Sequence, residues 1–374
     1  DYRKAVRALF CQYDRYIRLK LEEDDSDLAE QMTGYPAKED DLFADSFQEQ
    51  MVEWFGTECM EREEIKQERV KQAGKDSEIL QSDANRTEPE LALELDHPRA
   101  YTLFLQKSTE EFLEDYQERY PVFRDWLQGR NVNRFYIGNA FCHLLFPETE
   151  QLFALLEKAE KELLQVTFTF SYVREYQLVQ TEKLLEKLSQ WCRKENRKLE
   201  IEVNDWAMAD MLKSDFPELI PCYGRLLNKR KKDPRMTYKL GDRTLFKQNS
   251  VHAAFYREYL KEEFRMERYE WESCGDTDTG KFPEGKNSLH LPFYQTNTSQ
   301  YCPLYAACTK GSRGAQTPVR ECSGFCEKQA FLYPEHLRMV GRYNSLFGVD
   351  LDVWKRMEEM LELRGVDRVV VNLL

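Results

Sequence analysis

Residues 165–206, QVTFTFSYVREYQLVQTEKLLEKLSQWCRKENRKLEIEVNDW, decide the fold. Gln165–Val173 is rich in β-branched and aromatic residues, the composition of a buried strand. Gln177–Glu195 then carries apolar residues at helical spacing, and Lys198–Val203 (KLEIEV) returns to strand. A strand, a helix and a second strand in this order form a βαβ unit, with parallel strands and a right-handed crossover.

The same alternation runs outward in both directions. Before it lie a short strand, Arg134–Ile137, and an amphipathic helix, Glu148–Leu164. After it come a helix at Trp206–Lys213, a strand at Leu219–Tyr223, a helix at His252–Arg265 and strands at Met266–Trp271 and Leu289–Tyr294. A helix at Asp350–Leu363 and a strand at Val366–Leu373 complete the series. Alternating units of this kind predict an α/β fold with a parallel sheet. The expected closure is an irregular (β/α) TIM-like barrel, with an open doubly wound sheet as the alternative. No strand leads into G-x-G-x-x-G and no Walker loop occurs, so nucleotide-fold readings lack their phosphate-binding element.

The first third reads differently. Tyr2–Leu21, Leu42–Trp54 and Leu103–Trp126 have helical spacing, and the intervening Glu61–Pro98 is strongly charged. That segment reads as a solvated helix or as partly disordered. The expected organisation is a helical region over residues 1–130, serving as an appendage or partner-binding module, and a barrel-like domain over 131–374.

Four cysteines crowd one late stretch, Cys302, Cys308, Cys322 and Cys326, with spacing C-x5-C-x13-C-x3-C. Thiolates are soft ligands, and four converging on one point suit an iron–sulfur cluster or a zinc ion. Structural zinc sites usually show two tight pairs, whereas here only Cys322 and Cys326 stand close in sequence. The small, polar segment between Cys308 and Cys322 can wrap a larger object, which favours a 4Fe-4S cluster over zinc. Disulfides and free thiols are the remaining options. Cys142 follows the Arg134–Ile137 strand and is a candidate fifth member. Residues at the C-terminal ends of strands carry function in a barrel. Asp205 and Arg225 sit there, as a candidate acid–base group and a candidate anion grip. Asp205 is equally placed to cap the helix at Trp206, and Arg225 to form a structural ion pair. His143, His252, His290 and His336 are too dispersed for a metal triad, and G-x-S-x-G and H-E-x-x-H are absent.

Of the 374 residues, 41% are hydrophobic and 32% charged, enough for a large core under a highly solvated surface. The net charge of −13 opposes long-range attraction to nucleic acid, although Asn228–Arg235 (NKRKKDPR) is locally basic. No apolar run reaches the length of a membrane span, and Asp1–Arg18 lacks the apolar centre of a secretory signal. With scattered single cysteines elsewhere, the expected location is cytoplasmic.

The chain from about residue 133 resembles the collagenase-like "peptidase U thirty-two" family. The pieces that carry the resemblance are RFYIGNAFC (134–142), VTFTFSYV (166–173), IEVNDWAMADML (201–212), YGRLLNKRKKDPRM (223–236) and the late cysteine cluster. The resemblance implies a (β/α) barrel holding a four-iron cluster on four cysteines. It implies oxygen-independent hydroxylation of a small molecule or RNA more than proteolysis. It also implies pairing with a second family member or a redox partner. One late arrangement in such relatives matches Cys142, one of Cys302 or Cys308, and the Cys322–Cys326 pair. The expectation is therefore an iron–sulfur barrel protein with Asp205 and Arg225 lining the cluster's mouth. A peptidase and a zinc-stapled, non-catalytic scaffold are the alternatives.

Overall fold

The computed structural model describes residues 42–43, 89–127, 130–230, 249–274, 282–333, 337–356 and 365–373. The expected helix at Tyr2–Leu21, most of Leu42–Trp54, residues 61–88, the basic stretch from 231 onward and His336 lie outside these. So do Cys11, Cys59 and residues 357–363 of the expected late helix.

In chain order the first strands are β1 (Leu42–Phe43), β2 (Glu90–Leu95), β3 (Val132–Gly138), β4 (Gln165–Thr169), β5 (Leu199–Val203) and β6 (Leu219–Tyr223). Then follow β7 (Arg268–Glu272), β8 (Lys286–Leu291), β9 (Phe293–Thr298), β10 (Ala330–Leu332), β11 (Met339–Arg342), β12 (Ser345–Val349) and β13 (Arg368–Val371). The helices are α1 (Pro98–Gln106), α2 (Thr109–Arg119), α3 (Pro121–Leu127), α4 (Thr149–Lys161), α5 (Leu178–Lys194), α6 (Trp206–Asp215), α7 (Ala254–Phe264) and α8 (Pro303–Lys310).

Eight strands, β2 to β8 and β13, close into a parallel barrel. The last strand seals it: Arg368 pairs with Glu90 of β2 on one side and with Ser288 of β8 on the other. The α/β barrel read from the sequence is therefore the fold, and it is closed rather than open. A second sheet of five antiparallel strands has the order β1-β10-β11-β12-β9.

Two boundaries differ from the sequence reading. The barrel starts at Glu90, inside the stretch expected to be solvated, and not near residue 131. ELALEL alternates: Leu91, Leu93 and Leu95 are buried in the outer core, while Glu94 turns inward to Arg225 and His290. The long acidic run before it masks a six-residue strand in any averaged reading. Second, Leu289–Tyr294 is two strands in two sheets, divided at Pro292, because proline cannot continue a ladder. The expected helix at Leu103–Trp126 is likewise three helices. Ser108 and Glu111 form a reciprocal cap that starts α2, and Pro121 starts α3.

Two shells of packing result. Outside the barrel, the apolar faces of the strands meet helical stripes such as Leu185, Leu188 and Cys192 of α5. Inside, β5 contributes Glu200 and Glu202, and the interior is charged where such barrels usually pack aliphatic layers.

Candidate functional site

The barrel's N-terminal end is held by a ring of ion pairs. Arg368, 2% exposed, reaches Glu90 at 2.6 Å and Glu200 at 2.6 Å. Arg134 binds Glu90 at 2.9 Å, and Arg268 binds Asp367 at 2.7 Å. Burial pushes the Glu200 carboxyl up, but Arg134, Arg368 and Arg268 pull harder and bring it down to about 2. Above the ring, the Tyr136 hydroxyl donates to Glu270, and His290 bridges Glu270 at 2.8 Å and Glu94 at 2.5 Å. Burial and Arg225 work against the charged imidazole, yet the two carboxylates raise its pKa. Arg225, also 2% exposed, closes the column with Glu94 at 2.6 Å and Glu202 at 3.0 Å.

At the C-terminal end the cysteines gather. The chain leaves β3 through Gly138, at φ +119°, where a Cβ would lie 2.2 Å from the Thr169 carbonyl oxygen. Only glycine makes that turn without displacing backbone. Asn139 then accepts from the amides of Phe141 and Cys142 at 2.9 and 2.8 Å, and its own amide donates to the Asp96 carbonyl. This fixes Cys142 at the mouth. Cys302 caps the N-terminus of α8: its Sγ accepts from the Tyr305 amide at 3.3 Å and donates to the Tyr343 carbonyl at 3.0 Å. Cys326 is buried in a single helical turn, Phe325–Glu327, and its carbonyl accepts from Arg342 Nε at 3.1 Å. Cys322 is exposed.

Cys142, Cys302, Cys322 and Cys326 line one cavity of about 270 Å³. Cys308 does not; its Sγ donates to Gln329 Oε1 at 2.7 Å. None of the described cysteines is in a disulfide. Burial pushes the Cys142 and Cys326 thiols up to about 12 and Cys302 to about 11, and repulsion among Cys142, Cys302 and Cys322 adds to it. Among the described residues, no group of three or more His, Cys, Asp or Glu side chains is arranged to hold a metal ion.

Asp205 and Arg225 lie apart from this cavity. Asp205 caps α6, accepting from the Met208 amide at 2.8 Å and from the Val173 amide. Arg225 belongs to the ion column. Both make the structural contacts that the sequence also allowed, a helix cap and buried ion pairs. Sequence reasoning missed His97, Tyr343 and Arg174, which do line the cavity. His97 was hidden by the charged run before β2, and its one signal is the His-Pro step that opens α1.

No family profile and no curated protein matches the chain. Among solved structures, a U32 peptidase, Mk0906, aligns with 79% of this chain and 96% of its own at 8% identity and a TM-score of 0.37. By name it belongs to the family whose motifs the sequence resembles; at that similarity the barrel stands on its own strand pairing. Among the described residues no helix is long and apolar enough to cross a membrane.

Proposed function

We propose that the chain is a cytoplasmic iron–sulfur-binding barrel protein that takes part in an oxygen-independent hydroxylation or related redox modification of a small molecule or RNA. The observation that carries the metal half is the meeting of four cysteines, from the β3 loop, the start of α8 and the segment after it, around one cavity. The donor set suits the group: four thiols are the ordinary ligands of a four-iron cluster. No group of three or more His, Cys, Asp or Glu side chains among the described residues is set to hold a single ion, so the reading rests on the shared cavity and its thiol donors. Thiols held protonated by burial must lose their protons to bind, and a cation replaces those protons.

The expected ligands are Cys142, Cys302, Cys322 and Cys326, with Cys308 as the spare. When bound, the cluster supplies one-electron chemistry. The chain's own residues do the rest. Cys302 at a helix N-terminus favours the thiolate, and the Cys326 peptide is held by Arg342. Burial of Cys326 sets a low local dielectric around it. The hydroxylation half, and a heterodimeric or redox partner, rest on the family resemblance of the sequence motifs.

Anaerobic purification with iron and sulfide analysis tests this. The expected protein is brown, with iron and sulfide near four each per chain. Cys142→Ser and Cys326→Ser are expected to lose most of the iron, and Cys308→Ser to keep it. A colourless protein with stoichiometric zinc overturns the reading.

A further inference from the structure

Two adjacent residues, Arg342 and Tyr343, link the cysteine cavity to a carboxylate. With Cys302 protonated, its Sγ donates to the Tyr343 carbonyl, a bond given up when the sulfur ligates but one that places Tyr343 against the centre; the Tyr343 hydroxyl donates to Asp96 Oδ2 at 2.8 Å. Arg342 holds the Cys326 carbonyl and is, after burial, the strongest influence on Asp96. Asp96 follows β2 directly, so it is anchored to the rigid barrel, while Arg342 and Tyr343 come from the β11–β12 hairpin. Beside it lies a cavity of about 110 Å³, lined by Asp96, Glu94, His97, Glu327 and Arg342 among others, room for several water molecules.

We propose that Asp96 is the proton partner of the cysteine centre: an electron entering the four-cysteine cavity is matched by a proton taken from solvent, through the adjoining small cavity, onto the Asp96 carboxylate. This rests on the reading that the cavity holds a redox group. The balance is one electron from an external one-electron reductant and one proton from water; the added negative charge is cancelled and no bond between heavy atoms changes. Asp96 is one side chain removed from sulfur, so it is a positioning residue and not a ligand.

The charges that face Asp96 set where it works. Arg342 from the hairpin and Arg225 after β6 favour the carboxylate, as does the Tyr343 hydroxyl; Glu94 on its own strand opposes. Tyr101 of α1, Tyr116 of α2 and Tyr120 also lie within its field. His97, Arg99, Asp115, Arg119 and Glu327 share the small cavity. Burial outweighs the cations and pushes the Asp96 carboxyl up to about 6. At neutral pH it is mostly ionised, and a further negative charge nearby raises it through the ambient pH.

Potentiometric titration of the loaded protein over a range of pH, followed by absorbance, tests the coupling. The midpoint potential of the wild type is expected to fall as pH rises above about 6, approaching about 59 mV for each tenfold drop in proton concentration. Asp96→Asn is expected to flatten that slope, and Asp96→Glu to restore it. Tyr343→Phe removes a bond that favours the carboxylate, so the break is expected at higher pH. Infrared difference spectra of reduced minus oxidised protein should show a protonated carboxyl band that Asp96→Asn lacks. Iron present with equal slopes in wild type and Asp96→Asn overturns this inference alone. Absence of iron and sulfide from the wild type overturns the functional reading and this inference together.

Discussion

The two ends of the barrel handle burial in opposite ways. At the N-terminal end every arginine named has a carboxylate within reach: Arg368 with Glu90 and Glu200, Arg134 with Glu90, Arg268 with Asp367. At the C-terminal end four thiols face a shared cavity, and burial holds the protons on Cys142, Cys302 and Cys326 although Arg342 pulls against it at Cys326. Charges paired with opposite charges make a rigid base; neutral thiols around a cavity can still take a ligand. Buried polarity alone is therefore a poor guide to the working end. What separates the two is whether the polar groups are already spoken for.

The comparison breaks most directly at the base. Arg368→Met leaves Glu90 and Glu200 short of a cation in the barrel interior. It is expected to destabilise the fold by about 3–5 kcal/mol in urea unfolding. A loss below about 1 kcal/mol would mean that the ring is ornamental.

Acid sharpens the contrast because the two ends titrate in different windows. Glu200 titrates at about 2 instead of 4.5, a depressed folded pKa. Its stabilisation is full above 4.5 and is lost as pH falls toward 2. His97 at the mouth is held at about 4 instead of 6.5 by burial, Arg342 and Arg99. Its contribution is full above 6.5 and is lost as pH falls through 4. At about 1.4 kcal/mol per pKa unit each is worth about 3 kcal/mol. Unfolding free energy measured against pH should therefore decline in two steps. Glu200→Gln should remove the lower one and His97→Gln the upper; a single step in the wild type would contradict the two-ended picture.

A smaller effect is expected from Asp205→Ala. Loss of the α6 cap should cost about 1 kcal/mol and leave iron content unchanged. Iron loss in that variant would return Asp205 to the centre. The smallest is Cys308→Ser, expected to change neither stability nor iron content measurably.

Much of the barrel was legible because period and composition agree in the middle of the chain. KLEIEV, LIPCY and QVTFT are strands on any reading, and Glu148–Leu164 and Gln177–Glu195 are helices on any reading. The alternation of Glu200 and Glu202 with apolar residues even carried the charged interior, had both faces of the strand been taken as buried. What stayed hidden was local or long-range. Glu90–Leu95 is held as a strand between β3 on one side and β13, far along the chain, on the other. The antiparallel sheet is built from pieces as short as Ala330–Leu332, below the length at which period is readable. The cysteines were visible as a set, but the exclusion of Cys308 is a matter of which way α8 turns its side chains, and sequence spacing does not carry that. Asp205 and Arg225 stand at the strand ends where the sequence put them and make the cap and ion pairs it offered beside a functional role: strand ends gather structural partners as readily as substrates.

The closing strand has a consequence for how the molecule is made. Arg368 meets Glu90 across 278 residues of chain, so the ring at the base cannot assemble until nearly all of the described chain has left the ribosome. Until then the edges of β2 and β8 lack the strand that pairs with both in the finished barrel. Nascent chains halted before β13 should accordingly be easy prey for proteases, and cells would meet this protein first as a substrate for chaperones.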